Sequence, residues 1–367
     1  MCKICDRAKR IAQMRSIDGQ EDWSIIQDHQ YEHTGRLAEA EAIGQSIIEY
    51  GKGKDRWGCL HGHSEGSLLD GGAKVNDIMI KAKQMGQDFV AITDHGNLYS
   101  AVRAHQSARD VGIKHIVGTE FYVTPWGLKA HEKDFAKGER AYFHLVALAM
   151  NNTGYHNLAK LSSIGYRDGY YRQPRIDRET LEAHSEGLIV TTSCVGGSIP
   201  SSIYKGDMYK AQEELEWYMK VFGDRFYIEL QNHGIEVEDA SFYGLRELNA
   251  QYGIKEIVTP DSHYLNIEDK IPHDALLCVG TGQKVDQEIR TFQFSGSGYH
   301  YMAEEEIHKL FPSDKQAIYE TGRLADRIDD KVINLGQVKL PEFQVEESVE
   351  EFDAWVKEGG YNRWLKQ

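Results

Sequence analysis

The sequence predicts an α/β barrel, and two observations carry that expectation. From Trp57 onward, short apolar runs of strand character alternate with helical stretches over roughly 220 residues, the pattern of strands joined by crossover helices. Side chains able to hold a metal recur where those runs begin or end, as they do when a site is built at the rim of a barrel. A doubly wound open sheet would scatter such groups along a crevice; convergence from seven segments favours closure.

Residues 1–55 come first, as a helical N-terminal extension. SIIQDHQYEHTGRLAEAEAIGQSIIEYG has apolar residues at broadly helical spacing and stops at Gly51-Lys52-Gly53-Lys54. Within it Cys2, Cys5, His29 and His33 have the ligand types of a zinc knuckle. The gap between the pairs is long for one, so surface positions are the plainer reading. The barrel occupies residues 56–285. Its strands are expected at DFVAIT (88–93), KHIVGTEFYV (114–123), YFHLVALAM (142–150), GLIVTTS (187–193), RFYIELQ (225–231) and KEIVTP (255–260), all parallel. Helices are expected at LYSAVRAHQSARDVG, DMYKAQEELEWYMKVFG and VEDASFYGLRELNAQYG. Residues 286–367 change character: one clear helix, a loop-like end and the acidic stretch PEFQVEESVEEFD (341–353) read as the opening of a further unit.

Composition sets bounds. At 41% hydrophobic and 27% charged, the chain is an ordinary globular sequence, with no apolar run long enough to span a bilayer and no secretory signal. Cys2, Cys5, Cys59, Cys194 and Cys278 are an odd, scattered set, which reads as reduced thiols in a cytoplasmic protein. The formal net charge of −15 argues mildly against gripping a phosphate backbone unaided, although bound cations would neutralise part of it.

Nine donors carry the chemistry: His61, His63, Asp70, His95, Glu120, His144, Cys194, Asp261 and His263. Nitrogen, oxygen and sulfur together suit Zn²⁺ or Mn²⁺ better than a carboxylate-only Mg²⁺ site. His61-Gly62-His63 is weak alone, but period two in an extended segment points both imidazoles one way, and Asp261-Ser262-His263 repeats the geometry. His95 leaves a strand just before Gly96, and Asp94 either orients it or is a plain turn residue. Glu120 follows the apolar strand residues KHIVG and precedes FYV, a neighbourhood that is costly for a carboxylate unless it is paired or metallated. Cys194 and His144, taken singly, read as core residues. Glu229 and His233 are possible ligands, though more readily supports or substrate contacts, and Arg172, Arg175 and Arg178 form a basic patch for phosphate or, more simply, a solvated face.

The segments CLHGHSEGSLLDGGAK, AITDHGNLYSAV, GIKHIVGTEFYV, TTSCVGGSIP, FYIELQNHG and VTPDSHYLNIEDKIPHDALLCVGTGQ resemble the polymerase and histidinol phosphatase (PHP) domain. The resemblance is to the copy at the front of bacterial C-family replicative polymerases, the DNA polymerase III alpha subunits. It covers residues 57–285 in continuous order, and FSGSGYHYMAEEEIHKLF and LADRIDDKVINLGQVKLPEF resemble the lead into that polymerase's palm. It implies a distorted seven-stranded β/α barrel with up to three divalent metals, zinc or manganese first and Mg²⁺ or Fe as alternatives. It also implies a proofreading 3′–5′ exonuclease acting on DNA ends, with the rest of a polymerase and its replisome as partners. By that analogy His61, His63, Glu120 and Asp261 hold one metal and do the catalysis, Glu120 bridges to a second on His144 and Cys194, and Asp70, His95 and His263 hold the third. The chain stops before the palm aspartates, so polymerisation is not expected of it. A phosphatase of small phosphomonoesters and a non-catalytic, metal-stiffened scaffold are the alternative functions.

Overall fold

The computed structural model describes residues 55–135, 138–335 and 349–359. The described residues up to Ile333 form one compact unit, and helix Val349–Lys357 belongs to a second unit that begins at Asn334. The N-terminal extension, including Cys2, Cys5, His29 and His33, lies outside the described residues.

The first unit is a curled mixed sheet wrapped by helices. Strand β1 (Phe89–Ile92) lies parallel to the first half of β2 (Lys114–Thr124), and β2 pairs antiparallel with β3 (Phe143–Ala149). β3 is in turn antiparallel to β6 (Leu188–Thr191), after which β7 (Phe226–Leu230) and β8 (Glu256–Val258) follow in parallel. The extended segment 59–63 bridges the two edges. Ala91 and Thr93 donate their N–H groups to the carbonyls of Cys59 and Gly62. On the other side His63 donates to Ser262 at 2.7 Å, and Ser262 to His61 at 3.1 Å. Seven staves thus make a distorted ring.

Two expectations need correction here. The strands are not all parallel: β3 is reversed, so its beginning, not its end, meets the rim where the other strands finish. Glu120 does not follow a strand but lies inside β2, because that strand continues through FYVT. An unexpected hairpin is also present, β4 (Tyr170–Tyr171) and β5 (Gln173–Asp177), whose second strand extends the sheet beside the end of β2.

Each apolar run forms a strand because both faces are covered. Residues 145–149 of β3 are buried, as is all of β1. Around them, α1 (Val75–Gln84) turns Val75, Ile78, Met79 and Ala82 inward at i, i+3, i+4 and i+7. The helix α2 (Ala101–Val111) ends at Gly112, whose φ of 72° is open to glycine without strain. Asn151 and Asp207 cap α3 (Asn152–Arg167) and α4 (Met208–Phe222) by accepting from Gly154 and Lys210. Near the end of the unit, helix α5 (Lys315–Asp326) closes the base: Thr321 Oγ1 accepts from Val258 N, and Arg56 bridges Asp88 at 2.8 Å and Asp326 at 2.7 Å.

His115, near the start of β2, is buried with neither ring nitrogen hydrogen-bonded. Burial, helped by nearby His105, pushes its pKa down to about 3. The unfolded chain therefore binds a proton that the fold refuses, and stability falls as pH drops from about 6.5 towards 3. We expect His115→Leu to flatten that fall by up to about 1.4 kcal/mol per pH unit, read by urea unfolding at pH 7 and pH 4.5. Parallel pH profiles for the two proteins would disprove it.

Candidate metal centre

The rim gathers all nine donors. His61 and His63 stand on the bridging segment, separated by one residue and turned to the same side. His95 leaves β1 and pairs with Glu120 across an isolated parallel bridge, and His144 opens β3. Cys194 follows β6. Asp261 and His263 follow β8, with Asp261 at φ 45° and Ser193, beside Cys194, at φ 58°. Two left-handed non-glycine residues at strand exits are strain that the surroundings hold in place, and such strain clusters at functional sites.

Asp261 Oδ1 lies 3.2 Å from His61 Nε2 and 3.3 Å from His63 Nε2. Glu120 Oε1 is 3.5 Å from His61 Nε2, and Oε2 is 3.7 Å from His63 Nε2. On its other side Glu120 Oε1 meets His144 Nδ1 at 3.0 Å and Cys194 Sγ at 3.7 Å. His95 Nδ1 approaches Glu120 Oε2 to 2.9 Å, its Nε2 meets Asp70 Oδ2 at 2.8 Å, and Asp70 Oδ1 is 3.8 Å from His263 Nε2. Three triplets each place donor atoms within 4.8 Å of one another: His61, His63 and Glu120; Glu120, His144 and Cys194; His63, His95 and His263.

The donor set fits divalent cations on one decisive point. His61 Nε2, His63 Nε2, His95 Nδ1, Asp70 Oδ1 and Asp261 Oδ1 are buried without a hydrogen-bond partner, although they lie a few ångströms from each other. Buried polar atoms are nearly always paired. Five that face one centre but miss hydrogen-bond alignment are arranged for an ion.

Their backs, by contrast, are tied down. His61 Nδ1 contacts Glu229 Oε1 at 2.6 Å, and Glu229 also accepts from Thr191, Gln231 and Thr259. His63 Nδ1 is 2.9 Å from Ser67 Oγ, and His263 Nδ1 donates to the Asp261 carbonyl at 2.8 Å. Such outer partners fix tautomer and ring direction, leaving Nε2 free to face the centre.

Charge is balanced by opposition. Burial works against a charged His61, but Asp261, Glu229 and Glu120 outweigh it and hold its pKa well above the ordinary value. Burial, with His95 and His263 alongside, instead pushes His63 down to about 3. Burial would raise Glu120 and Asp261, yet the histidines around them keep both carboxyls below the usual range.

Several secondary readings change. Asp94 does not orient His95; it accepts from Ser64 N, Ser64 Oγ and Ser67 Oγ, and so steadies His63 through Ser67. Glu229 keeps its expected place, as a support behind His61. His233 has both nitrogens engaged, by Glu238 and by the Pro260 carbonyl, and its ring stacks on Tyr299 at 3.7 Å, so it is no ligand. Arg172, Arg175 and Arg178 form no patch: Arg172 pairs with Glu132, Arg178 with Glu214, and buried Arg175 bonds the Gly169, Leu128 and Ala130 carbonyls. Two residues of the site carry no mark in the sequence: Ser193, which donates to Glu120 at 2.6 Å, and Arg140, which lines the cavity of about 350 Å³ above the centre. A lone serine or arginine carries no spacing that could have marked it.

Residues 60–233 match the model of the PHP domain. This barrel is a PHP domain. The DNA polymerase III subunit alpha of Borreliella burgdorferi is 40% identical over 292 residues, covering 80% of this chain and 25% of that protein. Those of Treponema pallidum and Thermus aquaticus are 36% and 35% identical, covering 83% and 80% of this chain and 26% and 25% of theirs. The chain thus spans about a quarter of the length of these curated relatives. Solved chains from Bifidobacterium adolescentis and Chromobacterium violaceum match at 13% and 14% identity, with TM-scores of 0.38 and 0.32, covering 70% and 56% of this chain and 96% and 87% of theirs. Asp261 and His263 lie beyond the matched model, but the ring closure brings them to the same rim. Among the described residues no helix is long and apolar enough to cross a membrane.

Proposed function

We propose that this PHP domain is a metal-dependent phosphodiesterase that removes nucleotides from DNA 3′ ends, in the cytoplasm and within a replicative polymerase assembly. The observation that carries the hydrolytic part is the set of buried, unpaired donor atoms turned to one centre. Similarity to polymerase subunits supports DNA as the substrate and replisome proteins as partners. The domain division is 1–55 as an extension, 56–285 as the hydrolytic barrel and 286–367 as the lead into a polymerase palm.

His61, His63, Glu120 and Asp261 would hold one divalent ion, Glu120, His144 and Cys194 a second, and Asp70, His95 and His263 a third. Three carboxylates and one thiolate would offset four of the six charges of three divalent cations, leaving the remainder to attract an anionic phosphoryl group. Such ions, when bound, acidify water and stabilise charge on a phosphoryl group. The residues of the chain do the rest. Ser67, Glu229 and the Asp261 carbonyl hold a proton on the Nδ1 side of His63, His61 and His263, so that each Nε2 would turn its lone pair to a bound ion, which on His61 takes the place of the second proton. Arg140 lines the cavity, and its guanidinium would offset charge building on phosphoryl oxygens. Phe294 and Tyr299, on the same wall, limit water around the reacting group.

Metal analysis of the purified protein, coupled to an assay on a primer with a mispaired 3′ end, tests the reading. More than one equivalent of divalent metal and release of the terminal nucleotide, abolished by chelator, are expected. Hydrolysis of p-nitrophenyl phosphate alone would favour a small-molecule phosphatase. Bound metal with no excision under Zn²⁺, Mn²⁺ or Mg²⁺ would favour a scaffold.

A further inference from the structure

A second opening meets the centre from another side. It is a groove of about 470 Å³ that shares Asp70, His95 and Phe292 with the cavity above the donors. Three tyrosines from separate segments line it: Tyr99 just before α2, Tyr166 in α3 and Tyr170 in β4. They are 60%, 40% and 59% exposed. Their rings follow one another, with centroids 6.4 Å apart from Tyr99 to Tyr166 and 6.3 Å apart from Tyr166 to Tyr170, the latter pair stacked. At the inner end of the groove buried Tyr122 stacks on His95 at 5.8 Å. Leu68 and Leu69, both exposed, also line it.

We propose that Tyr99, Tyr166 and Tyr170 form a stacking track that receives the bases of a single nucleic-acid strand and leads its end to the metal centre. This deepens the phosphodiesterase reading and rests on it. Three large rings left in water at the mouth of a site have no packing role to explain their exposure, whereas base stacking needs such faces and is indifferent to sequence. Among the described residues no lysine or arginine lines the groove. Recognition there runs through base faces and not phosphates, which suits a chain of net charge −15. A small phosphomonoester would need only the cavity holding Arg140, Phe294 and Tyr299; the groove adds length for a polymer.

The test separates the track from the chemistry. Binding of a short fluorescein-labelled single-stranded oligodeoxynucleotide, read by anisotropy in chelator, reports the track. Cleavage of the same strand and of bis(p-nitrophenyl) phosphate in Mn²⁺ reports the centre. The triple variant Tyr99→Ala, Tyr166→Ala, Tyr170→Ala is expected to weaken oligonucleotide binding about 30-fold or more and to raise KM in step. Its hydrolysis of the small diester should stay within about twofold of the parent, and the triple Tyr→Phe variant should bind like the parent, since the rings remain. Equal binding by the parent and the alanine variant overturns the track, as does equal loss towards both substrates. A parent protein that binds the strand through these rings yet never cleaves it leaves the track standing and removes the nuclease reading.

Discussion

Glu120→Gln is expected to lower excision of a mispaired 3′ nucleotide on the order of 10³-fold or more and to reduce bound metal by more than one equivalent. The reason is geometric. One oxygen, Oε1, faces His144 and Cys194 on one side and His61 on the other, while Oε2 faces His63 and His95. An amide keeps the shape but gives up the charge and one acceptor, so two donor groups lose their common member together. The fold should persist, because Gln Oε1 can still accept from Ser193. Metal analysis and far-ultraviolet circular dichroism on the same preparation check both halves, and unchanged metal content would refute the bridging role.

Glu229→Leu is expected to be the more damaging change to the fold. The carboxylate is fully buried and accepts from His61, Thr191, Gln231 and Thr259. Leucine fills much of the same space and leaves those donors stranded, a loss of about 3–5 kcal/mol by analogy with breaking a buried pair. Surviving protein should also bind metal about 10–100-fold more weakly, since nothing then fixes the proton on His61 Nδ1. Glu229→Gln, which keeps an acceptor, should recover most of the stability. Urea unfolding of both variants with and without added Zn²⁺ measures the two effects separately, and a Leu variant as stable as the parent would contradict the account.

The sequence made most strands and every rim donor visible, because both signals are local. An apolar run of five residues, closed by a histidine, carboxylate or cysteine, is legible without any partner. Direction is not: Phe-His-Leu-Val-Ala-Leu-Ala reads the same whether β3 runs with or against its neighbours, and only pairing with β2 and β6 decides. Asp94 shows the same limit. Adjacency suggested His95, but its hydrogen bonds go to Ser64 and Ser67, about thirty residues back. The hairpin β4–β5 was hidden by its polar letters. Arg175 looked like a surface cation, and its guanidinium is instead spent on three backbone carbonyls. Glu229 was legible as a carboxylate in an apolar run, though not as the group that aims His61.

The bridging stave has a consequence for biosynthesis. Residues 59–63 are made early, yet they hydrogen-bond to Ser262, some two hundred residues later, and Asp261 completes their donor group. A nascent chain on the ribosome therefore cannot assemble the full cation cluster until that distant stretch has emerged and docked. On the proposed hydrolytic reading, competence would wait for ring closure, and partly made chains would be inert.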